Sequence, residues 1–264
     1  MRFKNVLLAS DFDGTLADSS GKIPDGVISA IKYFMSEGGR FTICTGRIYQ
    51  GFHLYSEAYI NAPVLLGNGA MAYDYRNKSV IFNDAIGDEG IPAVEDVLSR
   101  FPSVAVETYN FNTVCSINAC EDSIHHFTSQ GIDFTRISDP KDAPRPWTKV
   151  MIYAHGCSSD VQKLLDGHGE VNYLRTTGDY IEILKKGVDK GTGLLKLGEM
   201  LGCEVGDIYA AGDGYNDVDM LRAAAKGFVP ENGSPEALNA ADFITRSNDM
   251  GCIAHAIEIL DSIY

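Results

Sequence analysis

Four short clusters carry the residue types that could do chemistry. Asp11 and Asp13 stand two residues apart in Asp11-Phe12-Asp13-Gly14-Thr15, directly after the apolar run Val6-Leu7-Leu8-Ala9. Two carboxylates so close repel each other, and a cation, a proton held on one of them, or solvent must relieve the repulsion. Cys44-Thr45-Gly46-Arg47 offers a hydroxyl and free backbone N–H groups at a strand-to-helix junction. That suits an anion, although an N-cap threonine beside a surface arginine is the plainer reading. Asp189-Lys190-Gly191-Thr192 opens another helix. A lysine in a first turn works against the helix dipole, which argues for a functional reason, though surface lysines there are common. Gly212-Asp213-Gly214-Tyr215-Asn216-Asp217 places two more carboxylates and two glycines after an apolar strand. It reads as a cation site or as an acidic turn capping its own helix.

These clusters need elements to hold them. The apolar run predicts a buried parallel strand over 6–11. A helix follows from Asp25, with Val27, Ile28, Ala30, Ile31, Phe34 and Met35 at helical spacing and Gly38-Gly39 at its end. Strands are expected over 40–45 and 63–66, with a helix from Gly46 to about Tyr59 between them. This β-α-β-α-β order implies a doubly wound, Rossmann-like parallel sheet. Alternation over 70–75 and 79–83 around Arg76-Asn77-Lys78 suggests a hairpin.

The pattern then changes. Between about 84 and 186, helices are expected near 88–100, 120–129 and 158–166. Strands are expected near 103–109, 112–118, 132–136, 147–154, 170–176 and 179–184. This grouping predicts an antiparallel sheet with helices on one face. From Lys190 the first rhythm returns, with a helix over 190–201, a strand over 208–211 and a helix from near Asn216. Short strands near 227–229 and 242–244 and a last helix over 249–261 complete it. The expected fold is an α/β core, 1–82 and 187–264, with an α+β domain, 83–186, inserted into it.

Bulk properties narrow the partners. Thirty-six acidic against twenty-two basic residues give a formal charge of −14. Such a surface repels nucleic acid and anionic lipid, so neither is expected as a partner. No apolar run reaches transmembrane length and no signal sequence is read at the start. The six cysteines are scattered without a C-x-x-C pair, which favours reduced thiols and a cytoplasmic protein. A monomer or small homo-oligomer is expected.

Taken together, the four clusters resemble the motifs of the haloacid dehalogenase superfamily of phosphohydrolases. The match is closest to the Cof-type branch, in which a large α/β cap of type IIB is inserted between the second and third motifs. Asn68-Gly69-Ala70 and Gly212-Asp213-x-x-Asn216-Asp217 are typical of that branch. The resemblance implies that Asp11 is the nucleophile and Asp13 the general acid and base. It implies that Thr45, Gly46 and Lys190 hold phosphoryl oxygens, with Asn216 able to touch phosphate. It also implies Mg²⁺ bound by Asp11, the Asp13 carbonyl and Asp213, with Asp217 helping directly or through other groups. Arg47, Asn68 and Glu182 are candidate substrate contacts, and the cap would set specificity. One departure is Gly227-Phe228-Val229-Pro230-Glu231-Asn232-Gly233, where the branch often reads Gly-Val-Ala-Met-Gly-Asn-Ala.

The expected activity is Mg²⁺-dependent hydrolysis of a small phosphorylated metabolite, a sugar phosphate or related phospho-acid, through a phospho-aspartate. A phosphomutase on the same scaffold and a catalytically silent phosphometabolite-binding protein are the alternatives.

Overall fold

The computed structural model describes residues 1–264 apart from Leu54, Thr176 and Thr177 and the side chain of Arg175. In chain order, β1 (Leu7–Ser10), α1 (Asp25–Ser36), β2 (Arg40–Ile43), β3 (Val64–Leu66), β4 (Met71–Asp74) and β5 (Ser79–Asn83) come first. Next are α2 (Ile91–Arg100), β6 (Ala105–Tyr109), β7 (Val114–Ile117), α3 (Glu121–Ser129), β8 (Thr135–Arg136), β9 (Lys149–Tyr153), α4 (Ser158–Leu165), β10 (Val171–Arg175) and β11 (Tyr180–Lys185). The chain closes with α5 (Lys190–Met200), β12 (Ile208–Ala211), α6 (Val218–Ala223), β13 (Lys226–Pro230), α7 (Pro235–Ala240), β14 (Phe243–Thr245) and α8 (Cys252–Ile263). It divides into two compact units, Met1–Gly46 with Leu54–Phe82 and Asp189–Tyr264, and Arg47–His53 with Asn83–Val188.

The first unit is built on a five-stranded sheet in the order β14-β13-β12-β1-β2. Every pairing in it is parallel. β1 is buried along its whole length, as its apolar sequence requires of a central parallel strand. A parallel bridge from Cys44 to Leu65 leads to a second sheet, β3-β4-β5, whose first pair is antiparallel. α1 turns Val27, Ile31 and Phe34 inward. α5 presents Leu194 and Leu197 among Gly191, Gly193 and Gly198, a face without bulk that lets the helix lie close to its neighbours.

The second unit has a six-stranded sheet in the order β10-β11-β9-β6-β7-β8. It is antiparallel except for β7 and β8. α2 and α4 pack Val94, Val97, Val161 and Leu165 against Val106, Cys115, Val150, Ile152, Ile181 and Ile183 on one face. The expectation of helices on one face fails at α3. Its Phe127 packs with Tyr109, Val114 and Met151, which alternate to the opposite face. The topology explains this. The β9-α4-β10 and β7-α3-β8 connections start from parallel strands and run in opposite directions across the sheet. Right-handed crossovers of that kind put their helices on opposite faces. The expected strand over 170–176 is found as Val171–Arg175, and Thr176 lies outside the described residues.

The helix expected from Gly46 to about Tyr59 is not formed among the described residues of that stretch, and Leu54 lies outside them. A short turn at Tyr49–Gly51 stands there instead. Packing within the second unit accounts for the difference. Ile48 is buried beside Tyr109 and Met151. Gln50 Nε2 donates to the carbonyls of Asn110 and Phe111 at 3.0 and 2.9 Å. The Tyr49 ring meets Phe111 at 4.7 Å. Consecutive side chains thus have fixed partners, which a helix would swing to different sides. α7 was not anticipated, although Ser234 accepting from the Ala237 N–H and Pro235 in the first turn are ordinary start signals. All six cysteines are free. Among the described residues no helix is long and apolar enough to cross a membrane.

Candidate active site

The register of the parallel sheet fixes the starting point. Ser10 pairs with Ala211 on one side and with Ile43 on the other. The next residues, Asp11, Gly212 and Cys44, therefore leave the sheet at one level and on one edge. In an open α/β sheet that edge is where ligands bind. Three of the four clusters are brought together by this alone.

The fourth arrives with α5. Asp189 caps the helix, accepting from the Thr192 N–H at 2.7 Å while its own N–H donates to Thr192 Oγ1 at 3.0 Å. This reciprocal cap sets Lys190 as the first helical residue. Lys190 is fully buried. Its ammonium donates to Asp11 Oδ1 and to Asp217 Oδ1, both at 2.6 Å. The dipole conflict noted in the sequence is thereby offset by two anions.

Asp217 uses its other oxygen to accept from the N–H groups of Asp213 and Gly214 at 3.0 and 2.8 Å. Thr15 Oγ1 donates to Asp213 Oδ1 at 2.6 Å. Between these, Asp13 and Gly14 depart from helical geometry, and Gly14 takes φ +85°. A Cβ at Gly14 would stand 2.5 Å from an Asp213 oxygen, so the turn and the close approach both require glycine. Asp13 itself is exposed.

Asn68, buried and at φ +53°, donates its backbone N–H to the Thr45 carbonyl at 3.0 Å. Its Oδ1 accepts from Asn216 Nδ2 at 3.0 Å. A Cβ on Gly46 would meet the same amide at 3.2 Å. Thr45, Gly46, Asn68 and Asn216 therefore form one neighbourhood, with Thr45 almost fully buried. Arg47 and Glu182 belong to the second unit. There Glu182 pairs with Lys149 at 3.3 Å, both nearly buried.

The electrostatics are unbalanced. One oxygen from each of Asp11, Asp213 and Asp217 falls within 4.8 Å of the others. Three carboxylates against one ammonium leave two negative charges uncompensated. Burial pushes the Asp11 carboxyl up to about 8; Lys190 pulls the other way and Asp217 adds to the rise. Burial likewise raises Asp213, against the hydrogen bond from Thr15. For Lys190, burial works to lower the pKa, but Asp11 and Asp217 outweigh it and the ammonium is held charged. An all-oxygen donor set with excess negative charge fits a hard divalent cation.

Two residues of this neighbourhood were not singled out from the sequence. Asn232 Nδ2 donates to the Gly14 carbonyl at 3.2 Å. Asn248 Nδ2 donates to the Ala17 carbonyl at 2.9 Å. Asn232 stands at the asparagine position of the branch pattern that 227–233 otherwise departs from, while nothing in its spacing marks Asn248.

The family model described as haloacid dehalogenase-like hydrolase matches residues 8–257. The 5-amino-6-(5-phospho-D-ribitylamino)uracil phosphatase YwtE of Bacillus subtilis is 27% identical, covering 96% of this chain and 97% of its own. The phosphatase BT1666 from Bacteroides thetaiotaomicron superposes with a TM-score of 0.86 at 23% identity, over 98% of this chain and 96% of its own. The subclass IIB sugar phosphatase BT4131 superposes with a TM-score of 0.87 at 22% identity, over 97% and 99%.

Proposed function

The chain belongs to the haloacid dehalogenase-like hydrolases, and from that premise we propose that it is a Mg²⁺-dependent phosphatase acting on a small phosphorylated metabolite. The observation that carries this reading is the buried ammonium of Lys190 held at 2.6 Å from both Asp11 and Asp217. A lysine so placed can meet an incoming phosphoryl oxygen while it keeps the carboxylates in position.

Asp11 attacks phosphorus, and the bond to the leaving alcohol breaks. Asp13 gives that alcohol its proton. Asp13 then takes a proton from water, which attacks the phospho-aspartate and returns Asp11 with release of phosphate. Two displacements replace one difficult hydrolysis. Lys190, the Thr45 hydroxyl and the Gly46 N–H bind the phosphoryl oxygens, and Asn216, oriented by Asn68, lies within the same neighbourhood. Asp217 positions Lys190 and the backbone of Asp213 and Gly214. Held by Asp11, the Asp13 carbonyl and Asp213, Mg²⁺ would neutralise the repulsion between a carboxylate and a phosphate dianion.

The substrate class is a sugar phosphate or a related phospho-acid. YwtE and BT4131 carry names of phosphatases for a phosphorylated ribityl compound and for sugars, which supports that class for this chain. We assign choice of the leaving alcohol to the inserted unit, with Arg47 and Glu182 as candidate contacts, and action in the cytoplasm.

The test is release of phosphate from a panel of sugar phosphates, phospho-acids and nucleotides, with Mg²⁺ and after EDTA. Turnover of at least one sugar phosphate or phospho-acid that stops with EDTA is expected. Full activity after EDTA, or no turnover across the panel, overturns the reading. Return of labelled phosphate to another hydroxyl of the substrate would identify a mutase.

A further inference from the structure

The segment from Asp11 to Ala17 carries the groups on which the proposed chemistry depends, and Asp11 N–H ties its start to the Ala211 carbonyl at 2.8 Å. Ala17 N–H donates to the Phe12 carbonyl at 2.9 Å across the turn. The carbonyls of Gly14 and Ala17 accept from side chains of two distant loops. Asn248 follows β14, is 8% exposed and donates its amide to the Ala17 carbonyl at 2.9 Å. Its backbone N–H donates to Asn232 Oδ1 at 2.9 Å. An N–H facing one end of an amide requires oxygen there, so the NH₂ end of Asn232 is the one turned to the Gly14 carbonyl. The neighbouring residue adds a third tie, as Asp249 accepts from the Ser19 N–H and hydroxyl at 2.7 and 2.6 Å.

The same strut reaches the other side of the carboxylate cluster. Two residues beyond Asn232, the Ser234 N–H donates to the Asp213 carbonyl at 2.8 Å. The loop 231–234 thus touches Gly14 through a side chain and Asp213 through the backbone. Asn248 fixes that loop and the far end of the Asp13 turn together.

The geometry points to Asn248, acting through Asn232, as a positioning residue that sets the Asp13–Gly14 backbone against Asp213. It rests on the phosphatase reading for its kinetic consequences. Its consequence for cation binding does not need a turning-over substrate. Losing the Asn248 donor leaves the buried Ala17 carbonyl without its partner and frees the turn to shift. The Asp13 carboxyl and carbonyl would then lose their registry with Asp213, while Thr45, Gly46 and Lys190 stay where they are.

Asn248→Ala and Asn248→Asp, the second keeping the side-chain volume but not the donor, test this with Asn232→Ala. Mg²⁺ affinity of the protein alone is measured by calorimetry. kcat and KM are measured on p-nitrophenyl phosphate and on a sugar phosphate. Both Asn248 variants should bind Mg²⁺ several-fold more weakly and lose about 10–100-fold in kcat on the sugar phosphate, the scale of a small misplacement of reacting groups. KM should change little. The loss should be smaller on p-nitrophenyl phosphate, whose leaving group needs little protonation.

A folded Asn248 variant with wild-type Mg²⁺ affinity and equal losses on the two esters overturns the inference. Wild-type values for Asn248→Asp overturn it too, because packing would then suffice. Should both Asn248 variants fail to fold, Asn232→Ala decides. That residue is exposed, and its variant should show the same pattern at smaller amplitude; wild-type behaviour there overturns the inference. Absence of wild-type turnover on every ester would sink the phosphatase reading and leave the Mg²⁺ comparison to judge the clamp.

Discussion

Lys190 and the carboxylates around it have opposite effects on stability. Asp11→Asn keeps an oxygen for Lys190 to donate to and, above about pH 8 where Asp11 is ionised, lowers the uncompensated charge by one. It should abolish turnover, since an amide is a poor nucleophile. The cation-free protein should become more stable in urea. Lys190→Met removes the only ammonium in contact with Asp11 and Asp217 among the described residues. It should cost about 3–5 kcal/mol near pH 8, the scale for breaking a buried pair. Urea unfolding of both variants, with kcat, checks the contrast; equal stabilities would refute it. The raised Asp11 pKa also has a sign. The folded state holds that proton more tightly than the unfolded chain, so the cation-free protein loses stability as pH rises from the ordinary carboxylate range to about 8. With Asp11 as a ligand, as proposed, the proton and the cation would compete for its carboxylate. Mg²⁺ affinity should therefore rise with pH by up to about tenfold per unit and level off above about 8. Calorimetric titrations at several pH values between 6 and 9 would show a flat profile if Asp11 were not a ligand.

At the scale of elements, α5 and the turn between β3 and β4 locate the lysine. A Cβ on Gly193 would stand 2.6 Å from the Gly69 carbonyl. Gly69 sits at φ +89° in that turn, next to Asn68. Gly193→Ala should push the start of α5 away from the turn, at about 1–3 kcal/mol as in other overpacked sites. kcat should fall with it, because Lys190 lies one turn upstream. Thermal unfolding and kinetics check this, and an unchanged kcat would mean that the turn yields instead. Element order was largely readable because apolar periodicity reports on burial, and burial in the parallel sheet is nearly complete. The stretch after Gly46 misled because Ile48, Tyr49 and Gln50 answer to partners more than fifty residues away.

For the whole molecule, the chain passes from the first unit to the second twice, at 46–47 and at 82–83. The first passage directly follows Thr45 and Gly46. We expect the inserted unit to choose the leaving alcohol and the first unit to perform the chemistry. Replacing about 84–186 by a short linker should reduce kcat/KM for sugar phosphates far more than for acetyl phosphate, whose leaving group offers little to hold. Parallel losses on the two would mean that the insertion supports the fold and does not select substrates. The linker variant must also shield Ile48, which now packs against Tyr109 and Met151.

The amino-acid sequence determined the alternating elements, the parallel core and the four clusters at strand ends and helix starts. These are local properties: an apolar run, a glycine at a turn, an aspartate before a helix. It also showed that Lys190 works against the dipole of the helix it opens. What it left open was which groups meet. That Asp217 holds Lys190 with one oxygen and two backbone N–H groups with the other follows from the close packing of α5 beside the loop 212–217. That α3 lies across the sheet from α2 and α4 follows from the direction of a crossover. That Asn232 and Asn248 reach the Asp13 turn follows from strand order, which sets β13 and β14 beside β12 and brings residues more than two hundred positions apart within hydrogen-bonding distance.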